Sequence, residues 1–320
     1  MSEAVGNRLE QFPVTFFAIV MGLMGVVLAL HAATPFYPVA EAGALVVFWL
    51  ALAVFAVIAV FYLAKLARYP GAVLAEWRHP VKLAFFPTMT ISLLLMATAL
   101  RPVNAQWAEW IWLVGMVGQG VLTLAVVTGW ISHRSFEVGH LTPAWFIPAV
   151  GNVIVPVAGA QMGYLEISWL FFSGGMMFWG ILLTMVMNRL VFHDPMPGRL
   201  FPTLVILVAP PSVAFLAYIN MVGYVDGFAR VLLNAAYIFA ALVAFQLPKI
   251  LKFPFALSFW ALSFPMAALS VASFRFAWIE GSRLHGYIGT AVLCVLLVAV
   301  AGLIWRTLVA ILRGEICQPE

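Results

Sequence analysis

Apolar residues follow one another along this chain in unbroken runs of about 20 positions. Each run gives way to a short stretch carrying charge, proline or glycine. Reading between those breaks places helices near 12–32, 40–67, 81–100, 105–131, 142–163, 165–190, 200–220, 227–247, 254–277 and 284–311. In lipid only helices and closed barrels satisfy their own backbone groups, and a barrel strand would alternate apolar with polar residues. These runs are continuous, so the expected fold class is an all-α polytopic membrane protein with ten transmembrane helices. Residues 1–320 read as a single transmembrane domain, with short cytoplasmic tails at 1–11 and 312–320. The opening MSEAVGNRLE is polar and carries two acids, with no cleavage-site pattern behind a short apolar core, so the first helix is expected to be retained.

Proline divides the ten helices into two sets. Opening prolines stand at Pro13, Pro80, Pro143, Pro202 and Pro254, spaced 67, 63, 59 and 52 residues apart. A second proline follows in helices 3, 5, 7 and 9, at Pro87, Pro148, Pro210 with Pro211, and Pro265, while helix 1 offers Gly22 and Gly25 instead. The even helices, as bounded above, have no interior proline. A repeat of about 60 residues reads as five copies of one helical hairpin. Proline leaves a carbonyl without its donor, and lipid supplies none, so the odd helices belong away from lipid. The expectation is a quasi-five-fold arrangement: five proline-kinked helices inside, five straight ones outside, and a narrow pore on the axis. With axes about 8–10 Å apart, five inner helices leave a wider gap than four would.

Composition and charge sharpen this picture. The chain is 65% hydrophobic and 9% charged, with mean hydropathy +1.07. Twelve of its basic residues fall on one side of the proposed membrane, and only Arg101, Arg230, Arg275 and Arg283 on the other. By the positive-inside rule both termini should be cytoplasmic, in the plasma membrane, or the inner membrane of a bacterium. The pI of about 9.2 therefore needs no nucleic acid to explain it. The odd helices then start at the cytoplasm, where their dipoles put partial positive charge beside Lys82, Arg134, Arg199 and Lys252. That mouth should attract anions.

Candidate chemistry narrows the function further. The twelve acids fall at helix ends, in loops or in tails, which argues against a carboxylate-lined cation pathway or a proton relay. The histidines and the two cysteines show no metal-ligand spacing, and no phosphate-binding loop or catalytic constellation occurs. Neither an enzyme nor a cofactor is expected. The odd helices carry uncharged polar groups, Thr15, Thr88, Thr90, Ser92, Asn152, Ser212, Ser263 and Ser270, which either face a passing anion or bond neighbouring helices. For any one of them the second role is the commoner.

The stretches EWRHPVKLAFFP (76–87), HLTPAWFIPAVGN (140–152), LFPTLVILVAPPSVAFLAY (200–218) and SFWALSFPMAALSVAS (258–273) together resemble the tellurite-resistance and C4-dicarboxylate transporter family. That family includes bacterial TehA and the plant guard-cell slow anion channel. The resemblance implies a homotrimer with one pore per protomer, passing small inorganic anions such as nitrate and chloride. It also implies a phenylalanine gate on helix 9, at Phe264. The proline pattern and the polar set add pore-lining or kink positions at Gly22, Phe86, Pro87, Pro148, Asn152, Pro210 and Pro265. Where the family carries a Gly-x-Pro pattern in helix 1, this chain reads Ala18-Ile19-Val20. The family's name also admits a secondary transporter or exporter of sulfite, C4-dicarboxylates or tellurite-related oxyanions.

Overall fold

A computed structural model describes residues 8–132 and 136–318, which form helices and connecting turns. Among the described residues, ten helices are long and apolar enough to cross a membrane. In chain order, spans 1 to 10 are Val14–Ala33, Ala40–Arg68, Lys82–Leu100, Ala105–Ser132, Pro143–Met162, Leu165–Phe192, Phe201–Val222, Gly227–Ile250, Leu257–Glu280 and Arg283–Leu312. They match the hydropathy reading to within three residues at every end.

Odd and even spans differ in burial and in backbone. In the most apolar stretch of each odd span 61–78% of residues are buried, against 17–33% in each even span. Even spans are unbroken α-helix. Every odd span instead opens as a 3₁₀-helix, at Val14–Phe16, Lys82–Phe85, Pro143–Trp145, Phe201–Val208 and Leu257–Leu262. The prolines explain the switch. Pro87 and Pro210 cannot donate to the carbonyls four residues back, those of Leu83 and Ile206. Phe86 N–H and Ala209 N–H donate to those same carbonyls from three residues away, which is the 3₁₀ bond. Pro210, Pro211 and Pro265 then occupy the first turn of the α-segment, where a missing N–H costs nothing.

Packing between spans follows the same division. Span 1 touches spans 3 and 9, span 7 touches spans 5 and 9, and span 3 touches span 5. Each odd span also packs on the even span that follows it. Between spans 1 and 9 the approach is close because span 1 offers glycine. A methyl group at Gly22 would collide with Ser263 Oγ, and one at Gly25 would lie 2.8 Å from the Ala267 methyl.

Hydropathy misses three features. Pro248 lies inside span 8, so the even spans are not free of interior proline. It sits in the last turn, and both Pro248 and Ala244, whose carbonyl it leaves without a donor, are exposed. A further short helix, Pro70–Arg78, follows span 2. Its Glu76 is buried against Lys65 of span 2, Nζ to Oε2 at 3.0 Å. Tyr62 OH and Val14 N–H also donate to the Glu76 carboxylate, and Lys65 Nζ donates to Phe12 O. Lys65 and Glu76 are thus a buried pair tying spans 1 and 2 to the short helix, and Lys65 is not simply a flanking topology charge.

Candidate functional site

Five odd spans together line one small, partly open apolar cavity of about 70 Å³. All of its wall comes from spans 1, 3, 5, 7 and 9, through residues such as Ala18, Phe85, Ile147, Ala209 and Phe264. A larger apolar groove of about 660 Å³ lies between spans 1, 2 and 10, but its wall includes the exposed Val57, Phe61 and Leu308 of even spans. That groove opens toward the side where lipid would lie. The small cavity is the one lined by the odd helices alone.

Phe264 and Pro265 line this cavity from span 9, and Pro210 lines it from span 7. The remaining neighbours of span 9 fix which way Phe264 faces. Ser263 and Ala267 meet Gly22 and Gly25 of span 1. Ser270 Oγ donates to Gly289 O of span 10 at 3.0 Å, Ser273 Oγ bonds Tyr237 OH of span 8 at 2.9 Å, and the Phe276 ring lies 6.3 Å from Phe215 of span 7. At 3.6 residues per turn, these contacts leave one free face, on which Phe264, Ala268, Val271 and Arg275 fall within an arc of about 60°. Phe264 is half-buried on that face, its ring beside Gly25.

Other expected lining positions fall behind the wall. Phe86 stacks edge-on against Trp77 of the short helix, ring centroids 4.9 Å apart, and its neighbour Phe85 takes the cavity position. Pro87 lies at the start of the α-segment of span 3, outside the cavity wall. Gly22 faces span 9, as above. Pro148 turns its carbonyl toward span 4, where Thr123 Oγ1 donates at 2.7 Å and Gln119 Nε2 at 3.2 Å. Asn152 Nδ2 donates to Ala149 O, and its Oδ1 accepts from Thr123. Gln119 also accepts from Thr90 Oγ1 at 2.8 Å, so one buried network joins spans 3, 4 and 5 directly behind the wall.

Hydroxyl groups on the odd spans serve the backbone. Thr88, Ser92, Ser212 and Ser263 donate to carbonyls three or four residues earlier, around the 3₁₀-to-α junctions. Thr88 is the one member of the polar set that also borders the cavity. Three of the four expected anion-attracting residues are described: Lys82 begins span 3, while Arg199 and Lys252 are exposed just before spans 7 and 9. None of the three borders the cavity. Arg134 lies outside the described residues.

Ile147 and Ala209, which stand before the second prolines of spans 5 and 7, also take wall positions. In spans 5, 7 and 9 the residue just before the second proline faces the cavity, as Ile147, Ala209 and Phe264. In span 3 the register shifts by one, to Phe85. The opposite ends of spans 7 and 9 carry a different polar set. Asp226 caps span 8, its carboxyl held below the ordinary range by the Ala229 N–H and then by Tyr218 OH. Arg230 pairs with Glu280 and lies over the Phe276 ring, 5.2 Å from its centroid.

Relatives agree with a membrane transport protein. An uncharacterized transporter of Methanocaldococcus jannaschii is 25% identical over 309 residues, covering 88% of this chain and 90% of that protein. The S-type anion channel SLAH3 of Arabidopsis thaliana is 28% identical over 92% of this chain and 47% of its own length, so the chain spans about half of that plant relative. The tellurite resistance protein TehA homolog of Haemophilus influenzae is 28% identical over 88% of this chain and 86% of its own. The family model for voltage-dependent anion channels matches residues 11–308. With ten membrane-spanning helices and a match over nearly its whole length, the chain belongs to the SLAC1 family of voltage-dependent anion channels.

Proposed function

We propose that this protein is an anion channel whose pathway runs between its five odd spans and is closed at rest by Phe264. The supporting observation is the apolar cavity: every wall residue is on a proline-bearing or glycine-bearing odd span, and Phe264 is one of them. Moving an ion into a narrow apolar constriction is costly, because neither water nor fixed dipoles replace its hydration. A phenyl ring at that point blocks by volume and by excluding water. On this reading the five hairpins stand in quasi-five-fold order, the permeants are small monovalent anions such as chloride and nitrate, and the assembly is a homotrimer with one pathway per protomer. The ends of the chain face the cytoplasm in the plasma membrane, and Lys82, Arg134, Arg199 and Lys252 raise the local anion concentration at the inner mouth.

Chloride or nitrate flux into proteoliposomes tests the reading. Phe264→Ala is expected to conduct well above the wild type, with current that follows voltage. A folded Phe264→Ala protein with no gain of flux removes the gate. A second reading, coupled export of oxyanions, draws on the archaeal transporter and the Haemophilus tellurite resistance homolog among the relatives. Flux that saturates and follows an imposed pH gradient favours it over the channel.

A further inference from the structure

Arg275 belongs to span 9, five residues short of its last residue, Glu280. That places it about 8 Å inside the helix end and about 16 Å beyond Phe264 along the axis. The sequence reading counts it among flanking charges. The structure gives it a different setting, because the other faces of span 9 are taken by spans 1, 7, 8 and 10 through Ala267, Phe276, Ser273 and Ser270. Arg275 stands on the remaining face, three turns above Phe264 and in line with it.

Its partners make the contrast clearer. Arg230, on the same side of the molecule, pairs with Glu280 and lies against Phe276. Among the described residues Arg275 has neither an ion pair nor a hydrogen bond, although it is only partly exposed. Its nitrogens are not sealed off, since none of them falls among the buried polar atoms lacking a partner. A charge held inside a span without a counter-charge is costly, and such residues mark ion pathways. Attraction at this depth is also less weakened by solvent than at the surface.

We propose that Arg275 is the outer anion site of the pathway, where a small monovalent anion supplies the missing counter-charge before Phe264 is passed. This rests on the odd-span pathway proposed above. An unpaired guanidinium attracts the ion without the several fixed donors that would trap it, and the ring three turns inward decides when it proceeds.

The test is chloride current in planar bilayers from Phe264→Ala, alone and combined with Arg275→Gln or Arg275→Lys. With low potassium chloride on the outer side, Arg275→Gln is expected to lower chloride conductance about five-fold, and the difference should shrink toward 1 M salt as screening takes over. Arg275→Lys, which keeps the charge, is expected to retain most of the current. Unchanged conductance at low salt in folded Arg275→Gln overturns the site while leaving the pathway intact. If Phe264→Ala itself passes no chloride, the pathway reading fails, and the site is judged by thermal stability in potassium nitrate against potassium gluconate at equal ionic strength. Stabilisation by nitrate that Arg275→Gln abolishes and Arg275→Lys keeps supports an anion site. A wild type indifferent to nitrate overturns it.

Discussion

The odd and even spans of this protein are both apolar enough to cross a membrane, yet they meet their surroundings in opposite ways. Even spans expose Val46, Leu124, Phe245 and Val298 on their outer faces and keep an uninterrupted α-helical backbone. Odd spans bury most of their side chains, open in 3₁₀ form and carry every span proline but Pro248, whereas closely packed glycines occur in both sets, at Gly22 and Gly25 of span 1, Gly118 of span 4 and Gly175 of span 6. In a bilayer the outside is as apolar as the inside, so burial is not driven by hydropathy; packing and hydrogen bonds select which helices go in. Proline is tolerated in the inner set because N–H groups three residues on take up the carbonyls it abandons, as Phe86 and Ala209 do for Leu83 and Ile206.

Breaking the buried pair should have the largest effect on this arrangement. Lys65→Met leaves the Glu76 carboxylate buried with only Tyr62 OH and Val14 N–H, at a cost of about 3–5 kcal/mol. Combining it with Glu76→Leu should recover much of that loss, which thermal unfolding in detergent would reveal. Next comes a matched pair of glycine substitutions. Gly22→Ala forces Ser263 and Trp260 aside, costing about 1–3 kcal/mol, whereas Gly302→Ala on span 10 meets no atom within 4 Å and should gain up to about 1 kcal/mol from helix propensity. Equal responses at the two sites would erase the inner–outer distinction. Smallest is Gln119→Leu, which removes the bonds to Thr90 and to the Pro148 carbonyl. It should cost about 1 kcal/mol in the same unfolding measurement, because Thr123 still donates to that carbonyl.

Much of this was legible before any coordinates. Span limits follow from the length of the apolar runs, and the two sets of helices from the placement of proline. Phe264 was reached through resemblance, since one phenylalanine among 26 carries no mark of its own. Other features escaped for identifiable reasons. The helix Pro70–Arg78 has nine residues and mixed polarity, too little for a hydropathy signal. Lys65, Glu76 and Arg275 read as flanking charges because sequence position near a helix end does not say which way a side chain turns. Gln119 stands on an even helix, where the proline pattern gives it no signal, although its bonds reach Thr90 and Pro148 on two odd ones. Phe85 rather than Phe86 faces the cavity because proline register alone does not set the rotation of a helix that opens in 3₁₀ form.

The central claim, that anions pass between the odd spans and past Phe264, is tested most directly by thiol block of the open variant. In Phe264→Ala protein with Cys294 and Cys317 replaced by serine, a cysteine is placed at Ile147 on the cavity wall or at Val117 on the exposed face of span 4. Treatment with a negatively charged, membrane-impermeant methanethiosulfonate is expected to abolish chloride current in the Ile147→Cys protein and to leave the Val117→Cys protein unaffected. Current that persists after full modification of Ile147→Cys would contradict the account.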